Sequence, residues 1–246
     1  MNSRNLKLTL QYDGTDFHGF QIQPVAVTVQ KCIEDALSAI TSEDIKINGC
    51  SRTDAGVHAV KYVCSFFTAF PIPAERLPIV LNHKLPDSIK ALECCEVSCE
   101  FHARFDTSSK TYRYIINTDV NPDVFSRSYE WQLGKALDVE KMQSAAKYIE
   151  GEHDFRCFMS AGGSVQSTVR TVYGVKLVSD GSRVVMYIKA NGYLYNMVRI
   201  ITGTLVNVGL GIFKPEYIKE IIESKLREKA GPTAPPQGLY LYDVQY

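Results

Sequence analysis

Short apolar runs of period two, each cut off by a turn pair, restrict the fold of this chain more than any other feature. Leu6, Leu8, Leu10 and Tyr12 alternate with polar neighbours until Asp13-Gly14, the pattern of a half-buried strand that ends in a turn. Ile45 and Ile47 before Asn48-Gly49, Val60 to Thr68, residues 89–98 and Thr111 to Ile116 read the same way. Val172 to Val178 and Val184 to Ile188, joined across Asp180-Gly181, predict a hairpin. Helix-period runs lie between these strands. Thr28 stands as N-cap before Val29, Ile33, Ala36, Leu37 and Ile40, and residues 74–85 place Leu77, Val80 and Leu81 on one face. Asp138 caps Met142, Ala145, Ala146 and Ile149, with Gly151 as the stop. Leu194, Val198, Ile201 and Leu205 predict a largely buried helix after Asn191-Gly192, and Pro215 opens a last helix before a closing strand over Gly238 to Val244. Strands that alternate with helices, with hairpins among them, predict an α+β chain with mixed or antiparallel sheets. The rhythm of elements puts a boundary near residues 100–110 and so gives domains 1–105 and 106–246, although no composition shift marks it.

With 45% hydrophobic and 22% charged residues, the 246-residue chain is not disordered or fibrous. Lys plus Arg equals Asp plus Glu at 27 each, which argues against a histone-like polycation and leaves room for a local basic groove. The seven cysteines include no C-x-x-C pair, and the five histidines supply no zinc-type spacing. A reduced compartment fits better than a disulfide framework, and no metal is expected. No apolar stretch approaches the roughly 20 residues of a membrane span, and Met1 is not followed by an apolar signal core. The expectation is a soluble cytoplasmic protein without a membrane partner.

Chemistry concentrates in Ser51-Arg52-Thr53-Asp54-Ala55-Gly56-Val57-His58-Ala59, between two strand runs. A rigid sheet can hold such a loop over a cleft. Asp54 by residue type is a nucleophile, a general base or a metal ligand, while a lone Asp-x-Gly more often caps its own turn. Arg52 alone reads as a solvated charge, and His58 alone as a hydrogen-bonded structural histidine.

The whole string closely resembles the signature of the TruA-type tRNA pseudouridine synthases. Tyr12-Asp13-Gly14-Thr15 through Gly19-Phe20-Gln21-Ile22-Gln23 resembles the family's first loop, with Phe20 where Trp is usual. Leu81 to Pro86, Phe101 to Phe105 followed by Lys110 to Tyr114, Tyr195 to Arg199, and Ala234-Pro235-Pro236 with Gly238 to Leu241 resemble further family motifs, in family order. The resemblance implies two tandem RRM-like (ferredoxin-like) domains whose mixed or antiparallel sheets meet at a central cleft. It also implies a homodimer that converts uridine to pseudouridine in the anticodon arm of tRNA, at positions 38 to 40, without metal or organic cofactor.

Matched position by position, Asp54 is the nucleophile, Arg199 its guanidinium partner and Tyr112 the active-site tyrosine. A uridine within a stem must leave its stack, at a cost of a few kcal/mol. Arg52 is placed to fill the vacated space or hold a flanking phosphate. His18 and Gln21 lie on a loop suited to RNA contact, and Phe17 either joins them or tucks beneath that loop. Lys110 and Arg113 flank Tyr112 as phosphate contacts. The expected channel is basic, lined by Arg52, Lys110, Arg113 and Arg199, and binding through it weakens with salt. Three other readings compete. A non-catalytic RNA-binding module has no need of Asp54, Tyr112 and Arg199 together. A glycosidase-type hydrolase wants a second carboxylate. A pseudouridine synthase for another RNA is poorly separated by sequence.

Overall fold

Leu6, Leu8 and Leu10 are fully buried along strand β1, Arg4–Tyr12, and each such burial is worth about 2 kcal/mol. The computed structural model describes residues 3–162 and 165–246. The chain divides into two compact units, Met1–Ser108 with Tyr240–Tyr246, and Ser109–Leu239.

In the first unit β1 lies between β3, His58–Thr68, and β4, Ile89–Val97, antiparallel to both. Strand β2, Asn48–Gly49, extends β3 antiparallel, and β10, Leu239–Gln245, runs parallel to it with Tyr240 opposite His58. The opposite face of β1 is covered only in part: Asn5 is buried and its amide donates to Ser98 O and Phe101 O, while Gln11 is exposed. Helix α1, Val29–Thr41, buries Val29, Ile33, Ala36 and Leu37, the stripe its spacing predicts.

In the second unit β5, Ser109–Asn117, β9, Arg183–Ala190, β8, Val169–Asp180, and β7, Gly151–Asp154, pair in that order, all antiparallel. The short β6, Trp131–Gln132, runs parallel to β5. The predicted hairpin forms, with its turn at Gly181 and Ser182, one residue later than Asp180-Gly181, because Asp180 still pairs with Arg183. Helix α3, Val139–Ala146, starts at Asp138, whose carboxylate accepts the Lys141 N–H at 3.0 Å, and packs against β8 and helix α4, Met197–Gly209. The last helix, α5, covers Tyr217–Ser224. Each unit is therefore α+β, with strand pairs of both senses.

Four local expectations need correction. Ile45 and Ile47 are buried but lie outside any strand, because the Ile47 N–H is taken by Glu34 Oε1 of α1 at 3.1 Å rather than by a ladder. The strand instead forms at Asn48–Gly49, where a stop was expected. Of residues 74–85 only Leu77–Leu81 is α-helical (α2), after a single 3-10 turn at Ala74–Arg76. Asn82 ends that helix by exchanging two side-chain hydrogen bonds with the Ala91 backbone, and Val80 stays exposed. Helix α3 stops at Ala146, which leaves Ile149 in the turn beyond it, and Gly151 opens β7 instead of stopping the helix. Helix α4 begins at Met197, not Leu194, because Asn196 adopts a left-handed φ of 60°.

A buried carboxylate organises the far end of β5. Glu130 is 2% exposed and accepts from Asn117 Nδ2 and Ser126 Oγ at 2.6 Å and from Arg183 Nε at 2.7 Å. Burial pushes its carboxyl up, but the hydrogen bonds from Arg183, Ser126 and Asn117 outweigh burial and hold it below the ordinary glutamate value. Its stabilising effect is thus full above the unfolded pKa of about 4.3 and is lost as pH falls through the lower folded value. Glu130→Gln is expected to cost about 1–3 kcal/mol in urea unfolding at pH 7. The gap to wild type should close below about pH 4; a gap unchanged by acid would remove the ionised group from the account.

Candidate active site

Ser51 to Val57 joins β2 to β3 without regular structure, and the loop after β1 holds it from both sides. The hydroxyls of Tyr12 and Thr53 share a hydrogen bond of 2.7 Å. The Phe20 N–H donates to Thr53 O at 3.0 Å, and the Gly56 N–H to Phe17 O at 3.3 Å. Inside the turn the Val57 N–H donates to Asp54 O at 3.2 Å. The Gly14 N–H donates to His58 Nδ1 at 3.0 Å. Gly14 is required by close approach: a Cβ there would lie 2.0 Å from Val57 O. From below, the Tyr62 hydroxyl donates to Ser51 O, and its ring stacks on Phe20 at 4.4 Å between centroids. Burial pushes the Tyr62 phenol far above its ordinary value, so it stays a donor.

This bracing leaves Asp54 half-buried and Arg52 exposed on a loop whose backbone is fixed at both ends. His18 and Gln21 are exposed on the bracing loop. Phe17, at 5% exposure, is the one tucked beneath it. Its burial makes it a support for the turn that carries the other two.

In the second unit Lys110, Tyr112 and Arg113 stand on β5. Tyr112 is buried, with its ring edge-on to Tyr193 at 5.0 Å and 87°. Tyr193 is fixed in turn because its hydroxyl lies 3.0 Å from Lys110 O and 2.8 Å from Ile188 O. Arg199 sits in the first turn of α4, half-buried. Its Nε donates to Ala234 O at 2.7 Å and its Nη1 to Asn196 Oδ1 at 2.8 Å, while its own carbonyl accepts from the Ala234 N–H at 3.1 Å. The Tyr114 hydroxyl donates to the next carbonyl, Pro235 O, at 2.7 Å. Burial pushes the Tyr114 phenol up, with the Arg199 charge acting the other way. Residues 234–235 thus orient both side chains. Among the described residues, no group of three or more His, Cys, Asp or Glu could hold a metal ion.

The sequence points to candidate site side chains but not to the ones that hold them. Tyr12, Tyr62, Tyr193 and Asn196 read individually as strand or turn residues. Gly238 packs against the Tyr112 to Tyr114 strand, where a Cβ would lie 2.7 Å from the Tyr114 ring. A glycine beside a strand tyrosine marks a ring that must fit closely.

A family model described as tRNA pseudouridine synthase matches residues 9–106 and 145–246. tRNA pseudouridine synthase A of Brevibacillus brevis is 50% identical over 99% of this chain and 100% of its own length. tRNA pseudouridine synthase A 2 of Clostridium perfringens is 46% identical over the same shares, and the Clostridium acetobutylicum synthase A is 47% identical. Among solved structures, an archaeal box H/ACA sRNP complex aligns over 92% of this chain and 60% of that chain, at 14% identity and a TM-score of 0.37, too distant to bear on the site. The braced Asp54 loop and Arg199 lie within the matched residues and Tyr112 lies between the two matched segments, while likeness to the named relatives extends over nearly the whole chain: it belongs to the tRNA pseudouridine synthase family.

Proposed function

We propose that this protein isomerises uridine to pseudouridine in tRNA, in the anticodon arm at positions 38 to 40, with Asp54 as nucleophile. The observation that carries the reading is the Asp54 loop, with both ends hydrogen-bonded and its carboxylate residue half-buried next to an exposed Arg52. The C1′–N1 bond breaks and a C5–C1′ bond forms. A proton leaves C5, and N1 ends protonated, so neither water nor electrons are consumed. A carboxylate suits this because it adds to an electrophilic carbon and later departs. Arg199 is read as the guanidinium partner of the nucleophile, and Tyr112 as the ring that stacks on the uracil. Arg52 takes the space of the flipped base or a flanking phosphate, and His18, Gln21, Lys110 and Arg113 meet the RNA backbone. Phe17 acts from beneath its loop. The two α+β units are read as RRM-like domains and the working form as a cytoplasmic homodimer without cofactor.

Single-nucleotide mapping of pseudouridine on an unmodified tRNA transcript tests this. Product at one or more of positions 38 to 40 is expected. Product at other tRNA positions alone would overturn the site assignment, and no product at all would overturn the activity.

A further inference from the structure

His58 has a partner on each side of one nitrogen. Nδ1 lies 3.0 Å from the Gly14 backbone nitrogen and 3.1 Å from Asp13 Oδ1. A backbone N–H can only donate, so Nδ1 accepts there and carries no proton. Asp13 Oδ1 does not need a proton from the imidazole. It already accepts from the Thr15 N–H at 2.9 Å and from Thr15 Oγ1 at 2.6 Å. The ring is 2% exposed and stacks on Tyr240 at 4.7 Å.

We infer that His58 is a positioning residue for Asp54, with unprotonated Nδ1 as the clasp that ties the Asp13–Thr15 turn to the end of the Asp54 loop. The inference rests on the reading of Asp54 as the nucleophile and adds a specific tautomer to it. The loop is tied upstream by the Tyr12–Thr53 bond and downstream by this one, four residues past Asp54. Gly14 stands directly on Val57 O, so any shift of the turn is transmitted to Val57, whose N–H caps Asp54 O. Without the acceptor, a buried N–H at Gly14 is left unsatisfied, and the turn moves to rehydrate it. A displacement of about 1 Å at a reacting group costs on the order of a hundredfold in rate.

Side-chain isosteres separate this role from packing. Asparagine places its carbonyl oxygen where Nδ1 stood, glutamine extends its amide toward the Nε2 position, and leucine keeps bulk without an acceptor. Single-turnover assays on unmodified tRNA should show His58→Leu and His58→Gln slowed by about ten- to a hundredfold. Their tRNA affinity should stay near wild type, and His58→Asn should recover most of the rate. Nitrogen-15 NMR of histidine-labelled wild type should place His58 Nδ1 in the unprotonated range. An Asn variant as slow as Leu, or a protonated Nδ1 at neutral pH, would overturn the clasp. Because the NMR reads the tautomer without any reaction, a wild type that forms no pseudouridine would instead mark the failure of the Asp54 reading.

Discussion

Asp54→Asn should fold as the wild type does and form pseudouridine at less than about a thousandth of its rate. Asparagine matches aspartate in shape but has no anionic oxygen to add to an electrophilic carbon, so the first bond change loses its reagent. Bonds through Ser51 O, the Thr53 hydroxyl, the main chain of residues 53, 54 and 56, and His58 brace the loop, and the substitution leaves these in place. Because asparagine is nearly isosteric with aspartate, melting temperature should change by no more than about 2–4 °C, the shift that a loss of 1 kcal/mol gives in a chain of this size. tRNA binding should persist, since the proposed RNA contacts Arg52, His18 and Gln21 are untouched. Asp54→Glu sharpens the test: the charge remains but the oxygen moves by about 1.5 Å, and a loss on the order of a hundredfold is expected. Equal turnover by wild type and Asp54→Asn would remove this side chain from the mechanism.

The parts of this molecule that were legible in the sequence are those that local physics decides. Leu6, Leu8 and Leu10 alternate because one face of β1 is buried, and the hairpin through Gly181 needs only its own two strands. Asp138 bonds three residues ahead. What stayed hidden depends on partners distant in sequence. Ile47 has a strand's residue type, yet its N–H is claimed by Glu34 across thirteen residues. Asn82 ends α2 through the Ala91 backbone, and nothing in residues 74–85 announces that. The return of Tyr240–Tyr246 to the first unit is set by pairing with β3 and has no local signature. At the site the contrast is the same. Arg52 and Asp54 stand out as residue types, whereas the acceptor role of His58 Nδ1 appears only once Gly14 is brought to it.

Gly203→Ala should lower the melting temperature by about 6–12 °C, corresponding to about 3 kcal/mol. Alanine is the better helix former by about 1 kcal/mol, so propensity alone predicts the opposite sign. Packing decides the outcome. A Cβ at position 203 would lie 1.9 Å from Pro232 O and 2.9 Å from Pro232 C, and these are backbone atoms that cannot swing aside. Residues 231–235 must lift from α4, and they are bonded to it: the Gly231 N–H donates to Thr204 Oγ1 at 2.9 Å, and Arg199 Nε donates to Ala234 O at 2.7 Å. Arg227 grips the same segment through Gly231 O at 2.9 Å and Thr233 Oγ1 at 3.2 Å. Overpacking costs about 1–3 kcal/mol, and each displaced hydrogen bond about 1 more, which outweighs the gain in propensity. Because Ala234 O and Pro235 O also orient Arg199 and Tyr114, turnover should fall by about tenfold or more at temperatures where the variant is folded. Gly174→Ala is the matched control, since its added Cβ meets nothing within 4 Å, and both readouts should stay near wild type. If Gly203→Ala melted with the wild type, the 231–235 segment would not be what α4 holds, and the orientation of Arg199 would have to come from Asn196 alone.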